Sequence, residues 1–137
     1  MKLSFLTLAL FTHSCLAIHA FAATAIQYNY EVYPTGKAML EEKGVQKEFD
    51  SAHPLTLEVS NGTDVVTVVA KLSSDGNQID FVFTTQKNGQ RVALWSASRP
   101  FTKDVKVKGD ISDKKNPVPE LQAAGISKVW VRLRRAP

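Results

Sequence analysis

Three turn dipeptides constrain this chain most: Asn61-Gly62, Asp75-Gly76 and Asn88-Gly89. Asn-Gly and Asp-Gly favour the positive φ angles that tight hairpin turns require. Between and beside them the residues alternate. Leu55, Leu57 and Val59 oppose Thr56, Glu58 and Ser60. Val66, Val68, Ala70 and Leu72 share a face, with Val65 and Val69 adding apolar residues on the other. Ile79, Phe81 and Phe83 oppose Asp80, Val82 and Thr84, and Val92 and Leu94 oppose Ala93 and Trp95. Turn chemistry and period-two patterning agree on a four-stranded antiparallel meander over residues 54–98.

A strand that is apolar on both sides, as at Val65 to Val69, reads as central and covered on both faces. A second layer is therefore required, and the chain ends supply it. Tyr28, Tyr30 and Val32 alternate with Gln27, Asn29 and Glu31. Val105 and Val107 alternate with Asp104, Lys106 and Lys108, and Val129, Val131 and Leu133 with Trp130, Arg132 and Arg134. Residues 37–49 (KAMLEEKGVQKEF) read equally as a short helix, with Val45 and Phe49 four apart, or as a hairpin turning at Lys43-Gly44. Residues 110–116 form a polar loop, and residues 117–124 a short helical piece ended by Gly125. The expected fold is mainly β: an antiparallel two-layer β-sandwich of about seven strands with one or two short helices. A small closed β-barrel is the alternative.

The first residues carry a different pattern. Met1-Lys2 is a basic start, Leu3 to Phe11 an apolar run, and Ala20 to Ala25 a small-residue end with two Ala-x-Ala sites. These are the three parts of a secretory signal peptide, expected over residues 1–22 with cleavage after Ala22 or Ala25. The run is interrupted at Thr12-His13-Ser14-Cys15, short of the roughly 20 apolar residues a spanning helix needs. Lipid attachment at Cys15 is disfavoured by Thr12, where a branched apolar residue belongs. What remains is a single β-rich domain of residues 23–137, of ordinary single-domain size. The expected location is the periplasm or the extracellular medium.

Cleavage would remove the chain's one cysteine and two of its three histidines, leaving His53. No disulfide framework or thiolate metal site is then available, which suits a bacterial periplasm better than a small animal extracellular domain. Asp50, Ser51 and His53 invite a triad reading, but near neighbours in one loop form a turn more readily than a converging catalytic set. The oxygen-rich loops at Asp75 and Asp110 lack calcium-loop spacing, and the glycines do not form a phosphate loop. Neither enzymatic activity nor a metal or other cofactor is expected.

Charge is uneven. Residues 23–100 hold seven Lys/Arg and nine Asp/Glu, whereas residues 101–137 hold nine Lys/Arg and four Asp/Glu. In the last strand Trp130, Arg132 and Arg134 share a face, with Arg135 adjacent; Trp95 and Arg99 form a second group near Phe101. Tryptophan and arginine are enriched at interface hot spots, and arginine pairs carboxylates or phosphates in a fork. The plain alternative is a Trp130 that caps a core edge beside solvated arginines. The functional expectation is a small exported, non-catalytic binding protein, such as an inhibitor, an immunity protein or an accessory subunit of a bacterial envelope. Its expected partner is another protein. Two alternatives are a carrier of a small or lipidic apolar ligand, with Tyr28, Tyr30, Phe81, Phe83 and Trp95 lining a cavity, and a protein binding anionic surfaces. Nucleic acid is not an expected partner, and after signal cleavage the chain is not expected to span a membrane.

Overall fold

Each β-like segment read from the alternation pairs with its neighbour in sequence, and the chain ends close the second layer. The structure is a computed structural model that describes residues 23–60 and 65–136. Eight strands form: β1 (Thr24–Pro34), β2 (Leu40–Phe49), β3 (Leu55–Ser60), β4 (Val65–Leu72), β5 (Gln78–Lys87), β6 (Gln90–Pro100), β7 (Asp104–Asp110) and β8 (Ile126–Arg135). They make two antiparallel four-stranded sheets, ordered β2-β1-β8-β7 and β3-β4-β5-β6. The meander is the second sheet. The first is held together by the pairing of β1 with β8, which runs from Ile26↔Arg135 to Val32↔Val129 before its register shifts near Pro34.

The two-layer sandwich therefore holds, with eight strands rather than about seven. The barrel alternative does not: among the described residues no ladder joins β2 to β3 or β6 to β7. Among the same residues, no helix is long and apolar enough to cross a membrane.

The core is what the alternation dictates. Ile26, Tyr30 and Val32 from β1 and Val129, Val131 and Leu133 from β8 face Leu57, Val68, Phe81 and Phe83 of the other sheet. Burying each large side chain is worth roughly 1.5–3 kcal/mol. An aromatic stack spans the layers: Tyr30 lies 6.3 Å from Phe83, and Phe83 stacks on Trp95 at 5.3 Å. The Tyr30 hydroxyl donates to the Val66 carbonyl across the interior at 3.4 Å. Burial, and after it the charge of Glu42, pushes the Tyr30 phenol pKa up.

The turns obey their residues. Asn88 (φ 52°) and Gly89 (φ 77°) are both left-handed, as a type I′ hairpin turn demands. Asp75-Gly76 sits in a longer loop than a two-residue turn: Ser73 N–H donates to the Gln78 carbonyl at 2.8 Å. Asp75 Oδ1 accepts from Ser73 Oγ and from Asn77 N–H, which makes the five-residue path stable. The Asn61-Gly62 turn lies outside the described residues. The short helix of residues 117–124 is a 3-10 helix, Pro119–Ala124, stopped by a left-handed Gly125, with Leu121 plugged into the core.

Three local expectations are corrected. Residues 37–49 are neither a helix nor a hairpin at Lys43-Gly44; Leu40–Phe49 is one continuous edge strand, and the chain reverses before Leu40. Its apolar alternation is weak because Glu42, Gly44 and Gln46 take inward positions, while Val45 points outward and is 56% exposed. The outer side of β4 is not covered by a further layer of described residues. Val65 and Val69 are half-buried and Thr67 is buried there by neighbouring side chains within the sheet. Trp95 does not oppose Leu94. The β5–β6 register shifts between Phe83 and Thr84, so Phe83 pairs with Trp95 while Thr84 pairs with Ala93. The extra residue of this bulge turns both Leu94 and Trp95 toward the core.

Candidate functional site: the outer face of the β2-β1-β8-β7 sheet

Inward residues of this sheet are spent on the core, so chemistry is left to the outward set. The register aligns that set in cross-strand rows. Arg132 stands between Asn29 and Lys106, Arg134 between Gln27 and Asp104, and Trp130 between Glu31 and Lys108. On the far side of β1, Lys43 pairs with Asn29 and Val45 with Gln27.

The register-paired outward positions carry six cations (Lys43, Lys106, Lys108, Lys128, Arg132, Arg134) and four carboxylates (Glu31, Glu41, Asp104, Asp110), with Lys47 a further outward cation at the end of β2. Each carboxylate is engaged within the face. Asp104 takes a two-pronged bond from Arg132, Nε at 2.9 Å and a terminal nitrogen at 2.7 Å. Glu41 meets Lys43 at 3.2 Å, and Asp110 lies 3.8 Å from Lys108. Glu31 accepts from the Tyr33 hydroxyl and, at 3.4 Å, from the Asn29 amide. The Tyr33 hydrogen bond to Glu31 pushes the phenol pKa up, and Lys128 Nζ lies 4.1 Å from the centre of the Tyr33 ring.

Among the described residues, two cations of β7 and β8, Lys106 and Arg134, have no ion pair, hydrogen bond or ring contact through the side chain. Both sit beside Asp104. Its carboxyl pKa is lowered first by the Arg132 hydrogen bond and then by the charges of Arg132, Lys106 and Arg134. One carboxylate is thus shared among three cations. A depression of about 360 Å³ adjoins this cluster, lined by Gln27, Asn29, Lys43, Val45, Arg132 and Arg134 among others. In its wall Asn29 Oδ1 is buried and accepts no hydrogen bond from the described residues. Leaving such an acceptor unpaired costs about 1–3 kcal/mol. A cationic cluster with one shared counter-charge and an adjoining recess can recognise a carboxylate or another oxyanion.

The expected site residues divide. Trp130, Arg132 and Arg134 stand together on this face, as the alternation required, with Trp130 half-buried among its neighbours. Arg135 belongs to the inward set. It covers the sandwich end, its guanidinium 4.3 Å from the centre of the Phe101 ring, which in turn meets Phe49 edge-on at 5.7 Å. Trp95 is core, and Arg99 lies on β6 of the other sheet, its guanidinium donating to the Ser98 carbonyl at 2.8 Å. These three do not join the cluster. Lys106, Asp104, Asn29 and Lys43 do, and sequence reasoning passed over them as sites because only the sheet order brings them beside β8.

The Asp50–His53 group is a turn. Asp50 Oδ1 accepts from Ala52 N–H at 2.9 Å and His53 N–H at 2.8 Å and meets His53 Nδ1 at 2.8 Å. The hydrogen bond and charge of Asp50 raise the His53 pKa above 6.5. A raised folded-state pKa gives stabilisation that is complete below 6.5 and is lost as pH rises through the folded value. Proton NMR titration of the imidazole is expected to give a midpoint above 6.5, and Asp50→Asn is expected to bring it back toward that value. An unshifted wild-type midpoint would exclude this pairing in solution.

No family model, no curated protein and no solved structure matches this chain.

Proposed function

We propose that this chain is a small exported, non-catalytic recognition protein that binds an acidic patch of another protein through the outer face of its β2-β1-β8-β7 sheet. The observation that carries the reading is the sharing of Asp104 among Arg132, Lys106 and Arg134, with the last two otherwise unpaired. A partner carboxylate approaching Lys106 and Arg134 would complete the pairing. It would also be desolvated beside Trp130, the surroundings in which such pairs contribute most to binding.

The interleaving of charges favours a protein over an anionic surface. Glu31, Glu41 and Asp110 would repel a uniform polyanion, yet they fit a partner of mixed charge. The packing of Tyr30, Phe81, Phe83 and Trp95 within the core favours a surface partner over an enclosed apolar ligand.

The test is affinity capture from a bacterial envelope extract by the immobilised protein, with Lys106→Glu/Arg134→Glu as the variant. The wild type is expected to retain a protein that the double variant holds at least tenfold less well, a difference of about 1.4 kcal/mol or more. Retention is expected to fall steeply as salt shortens the screening length. Equal retention by both proteins, or salt-insensitive retention, contradicts the reading.

A further inference from the structure

The β2 edge points to a second copy of this chain. Among the described residues no strand pairs with the outer edge of β2, which is ten residues long and contains no proline. A long open edge is a template for another strand. What decides the occupant is the order of charges along it.

A strand added across a two-fold axis keeps inward faces inward, so outward residues pair only with outward residues. The outward positions are Glu41, Lys43, Val45 and Lys47. With the axis at Gly44, Glu41 of each copy faces Lys47 of the other, and Lys43 faces Val45. Moving the axis to Lys43 sets Lys43 against itself. Moving it to Val45 sets Lys43 against Lys47. Opposite charges facing one another across strands stabilise the pair, and like charges destabilise it. Centring on Glu42 sets Glu41 against Lys43 twice but also sets Glu42 against itself, so of these axes Gly44 alone makes two opposite-charge pairs and no like-charge pair. The exposed Val45 then lies against the methylene stem of the facing Lys43.

We infer that two copies of this chain associate edge to edge through β2, antiparallel and centred on Gly44, to form one continuous eight-stranded sheet. The two cationic clusters on Arg132 then share one broad surface. The contact is short, at the small end of specific interfaces, so the dimer is reversible with a dissociation constant in about the micromolar range.

The experiment is sedimentation equilibrium on protein purified after expression of the complete chain, at up to about 200 µM, well above that constant. Wild type is expected to dimerise. Glu41→Lys and Lys47→Glu each turn both charge pairs into like-charge pairs, and each is expected to raise the dissociation constant about tenfold or more. The register adds a sharper arm. An equimolar mixture of the two single variants sets Lys against Glu at both positions, so it is expected to dimerise as wild type does, as is the double variant Glu41→Lys/Lys47→Glu. Both positions are exposed, and circular dichroism checks that each variant is folded. A wild type that stays monomeric overturns the inference. So do single variants that dimerise unchanged, or a mixture that fails to recover dimer.

Discussion

Phe83→Ala is expected to destabilise the domain by about 3–5 kcal/mol, the range for removing a fully buried phenylalanine. The ring is inaccessible to solvent and sits in the middle of a central strand. It stacks on Trp95 and tilts against Tyr30 of the opposite sheet, so one side chain ties β1, β5 and β6 together. Removal forfeits its transfer free energy and leaves a cavity whose walls are two large rings that cannot collapse without moving strands. Domains of this size are stable by only about 5–15 kcal/mol, so the loss is a large share of the total. Urea unfolding followed by far-ultraviolet circular dichroism is expected to shift its midpoint down by more than about 1 M. A loss below about 1 kcal/mol would mean that the two sheets are not packed through this ring.

Gly109→Ala is the second large effect. A Cβ at Gly109 would lie 2.7 Å from Cζ3 and 2.9 Å from Cε3 of Trp95, distances that real contacts do not reach. The indole is held by its stacking on Phe83, which opposes its moving aside. Overpacking of this kind costs typically about 1–3 kcal/mol. Gly44 makes a useful comparison. A Cβ there would meet the Tyr28 hydroxyl at 2.7 Å, but that atom is the far end of a half-buried side chain rather than a ring stacked in the core. Gly44→Ala is therefore expected to cost clearly less than Gly109→Ala. Trp95→Leu in the Gly109→Ala background opens the space again, so the double variant is expected to be more stable than the sum of the single losses implies. Strict additivity of the two changes would contradict the close approach of β7 to β6.

The legible and illegible parts of the fold separate along physical lines. β3 and β7 bury one face, and β1, β5 and β8 bury most of one face, so their period-two pattern is strong and is readable. β2 lies at an edge. Its inward positions are Leu40, Glu42, Gly44, Gln46 and, beyond a register shift, Phe49, so only its two ends are strongly apolar. Glu42 is there because its carboxylate accepts the Glu58 N–H at the neighbouring edge of β3, a task no local pattern announces. The bulge at β6 was equally silent, since an extra residue changes the facing of Trp95 without changing any propensity.

The same division holds for the site. Alternation alone put Trp130, Arg132 and Arg134 on one face. The same alternation puts Arg135 in the inward phase, but its stacking on Phe101 depends on where β8 meets the β6–β7 connection. Alternation could not bring in Lys106, Asp104 and Asn29. Their place beside Arg132 follows from β8 inserting between β1 and β7, and the β1–β8 ladder joins residues about a hundred positions apart, a long-range pairing with no local signature.

The most direct test of the central claim is site-specific photo-cross-linking in cells exporting the protein. A photoreactive amino acid replaces Lys106 on the candidate face, or Val82 on the outer face of the opposite sheet, where the side chain is 41% exposed. The expected result is a discrete protein adduct from position 106, lost when Arg134→Glu is added, and none from position 82. Adducts from position 82 alone, equal adducts from both, or none from position 106 would contradict a protein-binding role for the β2-β1-β8-β7 face.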